Sequence, residues 1–65
     1  MNGFSYDPTQ KKITIEDCTS VVIWESVGQE IADEAGEMYK NNQDIDAFLR
    51  KNGCSRYWRY KNQLP

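Results

Sequence analysis

Four carboxylates, Glu30, Asp33, Glu34 and Glu37, recur at i, i+3, i+4 and i+7. On a helix that spacing gathers them into one continuous acidic ridge. Paired carboxyl groups can divide general acid and general base roles when an apolar cleft raises the pKa of one of them. A chain of 65 residues has little room for such a cleft. Like charges at i,i+4 also cost a few tenths of a kcal/mol each, on the order of 0.3, unless something compensates them. The ridge therefore reads first as a solvated helix face. Its functional reading is a docking surface for a basic partner. A third reading is an internal counter-charge for Arg56, Arg59 or Lys61.

The other reactive side chains are two cysteines, Cys18 and Cys54, in a chain without histidine. A nucleophilic cysteine needs a base or a cationic setting to form thiolate. Arg56 lies close enough in sequence to Cys54 to lower its pKa somewhat, but no imidazole is present to act as base. A small buried apolar thiol is the simpler reading. Two cysteines set far apart, without histidine, do not complete a tetrahedral zinc site unless carboxylates or a second chain join them. The Asp/Glu spacing does not match a calcium loop, and the glycines are too scattered to cradle phosphate. No metal, no cofactor and no enzymatic activity are expected.

The first residues, Met1 to Asp7, lack a cationic start and an apolar run, so the chain is expected in the cytoplasm, with both thiols free and at least one buried. A disulfide is the lesser alternative. It would stabilise by roughly 3–4 kcal/mol through closure of a long loop. No stretch is long enough to span a membrane.

The segment Arg56-Tyr57-Trp58-Arg59-Tyr60-Lys61 alternates cations with aromatics. Such a pattern can stack on bases while neutralising phosphates. It can also anchor a protein interface, where Trp, Tyr and Arg are the usual energetic centres. The bland reading puts Trp58 and Tyr60 in the core and leaves the cations wet. Charge is sharply divided along the chain. From Ile13 to Tyr39 there are seven carboxylates and no Lys or Arg, and no acidic residue follows Asp46. The net charge of −2 disfavours nucleic-acid binding by the whole surface, and it is too small for a mimic of DNA.

Elements must position these groups. Phe4 and Tyr6 alternate with polar residues, then Asp7-Pro8-Thr9-Gln10 suits a type I turn, and Ile13 and Ile15 alternate again. A hairpin over 3–7 and 11–16 follows. Two readings compete over 17–25. Val21-Val22-Ile23-Trp24 favours a strand over 20–25. Trp24, Val27, Ile31, Ala35 and Met38 share a helical stripe and favour an early helix start. Ser26 and Gln29 have capping-box spacing, so the strand is preferred, with a helix over 27–40. Asn41-Asn42 breaks it. A second helix over 43–52 would have Asn42 as N-cap and Asn52-Gly53 as its stop. The segment near 55–61 completes the sheet as a strand, or forms a last helical turn.

The expected fold is α+β: one small domain over 1–65, with a small antiparallel sheet packed against two helices. The expected function is non-enzymatic protein binding, as a small regulator, inhibitor or adaptor. Its contact residues would be Arg56, Tyr57, Trp58, Arg59 and Tyr60 with Glu30, Asp33, Glu34 and Glu37. Another protein is the expected partner, with a homodimer as a further option. Nucleic acid bound through the aromatic-basic segment is the alternative.

Overall fold

The computed structural model describes residues 3–60, and side chains within that span up to residue 57. Strands β1 (Gly3–Asp7), β2 (Lys12–Glu16), β3 (Ser20–Glu25) and β4 (Ser55–Tyr60) form one antiparallel sheet in the order β1-β2-β3-β4. Between β3 and β4 the chain forms helices α1 (Gln29–Lys40) and α2 (Ile45–Lys51). The arrangement is α+β, with β1 and β4 at opposite edges.

An Asp starts each hairpin turn. The Asp7 carboxylate accepts from the Thr9 and Gln10 N–H groups at 2.9 and 3.3 Å. The Asp17 carboxylate accepts from the Thr19 and Ser20 N–H groups at 2.9 and 2.7 Å. Short acidic side chains in this role mimic a backbone turn. Lys11 closes the first turn at φ 56°, so β2 begins at Lys12. Its carbonyl then accepts from the Val27 N–H at 2.9 Å, which ties the first turn to the start of α1.

The register puts Tyr6, Ile13, Trp24 and Arg56 in one row across the sheet, with Phe4, Ile15 and Val22 in the next. The core forms over this face. Ile13, Trp24, Val27, Ala35 and Leu49 are at most 1 % exposed, joined by Ala32 and Cys54. A buried indole removes about 150–250 Å² from water, a driving force of roughly 4–6 kcal/mol, so Trp24 is the natural centre of so small a core. The β-branched run of 20–25 is a strand, as its composition favours. Val27 is buried in the junction after it, not on the helix.

The helix starts differ from expectation. α1 begins at Gln29 with Gly28 as N-cap, and no side chain caps it. Ser26 is held at φ 62°, a left-handed conformation outside the extended range of an N-cap, and the capping box does not form. Gln29 instead donates through Nε2 to Asp33 at 2.9 Å. α2 is capped by Asp44, whose side chain accepts from the Ala47 N–H at 3.2 Å. Asn42 is not that cap. It sits at φ 57° and ends α1.

The two helix ends are alike. Gln43 and Asn42 donate to the Met38 and Tyr39 carbonyls at 2.9 and 3.2 Å, and Cys54 and Gly53 donate to those of Leu49 and Arg50, both at 3.1 Å. These are Schellman closures around a left-handed residue, Asn42 in one and Gly53 in the other. α1 packs against β1 and α2, and α2 packs against β4.

Candidate functional site

α1 exposes all four ridge carboxylates, and two of them line a groove. Asp33 and Glu37 turn toward β1 and line an open groove of about 700 Å³ between that strand and the helix. Glu30 and Glu34 are exposed but do not line the groove. Ala32 and Ala35 bring α1 close to the core, both at most 3 % exposed. The groove floor is aromatic and small-residue: Phe4, Tyr6, Ala32, Gly36 and Tyr39.

The floor has a fixed geometry. The Phe4 and Tyr39 rings tilt at 35° with centroids 5.4 Å apart. That separation lies within the favourable range for aromatic pairs. The Tyr6 hydroxyl donates to the Val27 carbonyl at 2.6 Å, fixing the strand to the start of the helix. A Cβ at Gly36 would lie 3.5 Å from the Phe4 ring, so the glycine keeps this part of the floor open.

Charge along the groove is mostly negative. Lys40 also lines it and pairs with Glu37 at 3.8 Å, but both side chains are more than 70 % exposed. A pair so wet contributes about 0–1 kcal/mol. Among the described residues Asp33 is met by the amide of Gln29 alone. Among the described residues neither Glu30 nor Glu34 has an ion-pair partner.

The ridge is not the counter-charge of Arg56. Arg56 donates through Nη1 to Asp46 at 2.7 Å, and Asp46 also accepts from Arg50 Nε at 2.5 Å. Sheet order explains the difference. β4 lies three strand spacings from β1, about 14 Å, and the carboxylate that meets Arg56 comes from the first turn of α2. Tyr57 is half-buried and pairs across the sheet with Ile23, in the row opposite to that of Arg56. Trp58, Arg59 and Tyr60 lie opposite Val22, Val21 and Ser20. Whether their side chains serve a core or a partner falls outside the described residues, as does Lys61.

Both cysteines are free: Cys18 is exposed in the turn after β2 and Cys54 is buried. Burial pushes the Cys54 thiol up from its ordinary pKa, opposite to the lowering expected from Arg56. The guanidinium is engaged by Asp46, and Sγ donates to the Ser26 carbonyl at 3.7 Å. Desolvation therefore decides the direction. Among the described residues no group of three or more His, Cys, Asp or Glu is placed to hold a metal ion. None of their helices is long and apolar enough to cross a membrane.

Sequence reasoning picked the ridge but missed the groove beside it. Phe4, Tyr6 and Tyr39 were read only as strand and helix residues. The available signal was that the first strand of a hairpin can end at a sheet edge, and here it carries two aromatics facing a helix with a glycine. Comparison with protein-family models, with curated proteins and with solved structures finds no match to the chain.

Proposed function

We propose that the protein is a non-enzymatic protein-binding module, a small regulator, inhibitor or adaptor of a larger protein. The observation that carries this reading is the exposed acidic face of α1 beside an aromatic-floored groove. These carboxylates are little used by the fold. A surface of this kind attracts a basic partner, speeds encounter and leaves apolar floor for contact. The aromatic-basic segment of β4 supplies further contact area, less the Arg56 charge already held by Asp46. That engagement also reduces what the segment offers to phosphate, which weakens the nucleic-acid alternative.

Crosslinked affinity capture from the source cells tests the reading. Wild type is compared with the Glu30→Gln/Asp33→Asn/Glu34→Gln/Glu37→Gln variant, with and without nuclease. A stoichiometric protein that survives nuclease and is lost by the variant is the expected result. Capture of nucleic acid alone, or of no stoichiometric protein, would overturn it.

A further inference from the structure

We propose that the β1–α1 groove takes an extended segment of the partner protein, with cations at alternate positions, as an added strand on the free edge of β1. The proposal rests on the protein-binding reading above and assigns its site and ligand class.

Among the described residues β1 pairs only with β2. Its outer edge therefore presents unpaired N–H and C=O groups, the feature to which extended peptides add. Proteins usually blunt such an edge with charge, proline or a covering element. Here β1 reads Gly-Phe-Ser-Tyr-Asp, with its only charge at the turn end. α1 stands beside the edge at a distance that leaves a groove and does not close it. Strand and helix run antiparallel, with Tyr6 by Val27 and Phe4 by Gly36.

The dimensions agree with one strand. A strand of five residues is about 17 Å long, and the twelve-residue helix beside it is about 18 Å. An added strand would direct every second side chain toward α1, about 6.6–6.8 Å apart. Asp33 and Glu37 are one i,i+4 step apart on the facing wall, a rise of about 6 Å. Two cations separated by one residue can meet those two carboxylates. Their aliphatic stems would lie over Phe4, Tyr6 and Gly36 while the charged heads remain wet. The charge pattern disfavours an acidic occupant, since among the described residues Lys40 at one end is the only cation lining the groove.

The test uses a labelled, end-blocked nonapeptide alternating lysine with valine. Controls are the same peptide with glutamate for lysine and a permuted peptide with its lysines consecutive. Wild type should bind only the alternating lysine peptide, with affinity falling as salt rises. Asp33→Lys/Glu37→Lys should weaken binding at least about tenfold, whereas Glu30→Lys/Glu34→Lys should change it less than about threefold. Gly36→Leu, which fills the floor without altering charge, should also abolish binding. Circular dichroism checks that each variant is folded. Amide hydrogen exchange should show new protection within residues 3–7 on binding.

Equal losses from the two charge reversals, tight binding of the permuted peptide, or unprotected β1 amides would overturn the proposal. So would failure of wild type to bind the alternating peptide, or a dimer mass in light scattering that Asp33→Lys/Glu37→Lys abolishes, which would give the groove to a second copy. The two readings fail separately. A captured partner that persists with Asp33→Lys/Glu37→Lys removes the groove assignment and leaves protein binding standing. Capture of no partner by wild type removes the protein-binding reading itself.

Discussion

The two flanks of the sheet are built alike and charged differently. Each has an edge strand, an overlying helix and a Schellman closure. On the α2–β4 flank one carboxylate, Asp46, is shared by Arg50 and Arg56. Among the described residues of the α1–β1 flank, one of the four carboxylates, Glu37, meets a lysine, Lys40, in a pair exposed to water. The first flank uses its charges to fasten a helix to a strand. The second leaves its charges outward. Their apolar anchors differ too: α2 buries Leu49 completely, whereas α1 buries two alanines. Opposite charges on one chain need not neutralise each other, because strand order decides which of them can meet.

The contrast breaks most visibly in the core. Leu49→Ala should cost about 2–5 kcal/mol in urea unfolding, because α2 would lose its one fully buried side chain. On the other flank the equivalent damage comes from adding volume. Ala35→Leu should cost about 1–3 kcal/mol through overpacking. If Leu49→Ala proves milder than Ala35→Leu, the anchoring of the two helices has been misassigned.

Helix ends sharpen the comparison at a smaller scale. Asp44→Ala removes the side-chain cap of α2 and should cost about 1 kcal/mol, or roughly 4–8 °C in melting temperature. α1 has no side-chain cap to lose, but it has a glycine to replace. Gly36→Ala should stabilise by up to about 1 kcal/mol, since the new methyl meets Phe4 at an ordinary contact distance of 3.5 Å. Destabilisation by Gly36→Ala would show that the floor does not tolerate even a methyl group.

The thiols give the smallest effect. Cys18 should react with an alkylating reagent as a fully accessible thiol, and Cys54 far more slowly, through opening of the fold. The Cys54 pKa is raised on folding, so its contribution to stability is complete below the unfolded value, about 9.0, and is lost as pH rises through the folded value. Wild type should therefore lose more stability above that pH than Cys54→Ala does. Parallel pH profiles would contradict this.

Much of the fold was legible because local signals agreed. Asp7-Pro8 marked the first turn, the β-branched run marked β3, and Asn52-Gly53 marked the end of α2. The helix starts were misread because Ser26 and Asn42 are cap-type residues in sequence but adopt left-handed backbone, as 62° and 57° in φ show. Cap preference and left-handed preference overlap in Asn, whereas Ser26 takes a left-handed conformation that its residue type does not favour, so cap-type residues alone do not locate the helix starts. The acidic ridge was legible from spacing alone. The partner of Arg56 was not, because it depends on α2 reaching β4. The groove was hidden for the same reason: it exists only between an edge strand and a helix distant in sequence.

The claim that one flank's charges are committed to the fold while the other's are spare is tested most directly by paired urea unfolding. Asp46→Asn is compared with Asp33→Asn/Glu37→Gln at low salt. The account predicts a loss of about 1 kcal/mol for Asp46→Asn, and no loss or a slight gain for the groove pair. A loss from the groove pair as large as that from Asp46→Asn would show that the fold needs those carboxylates, and would contradict the account.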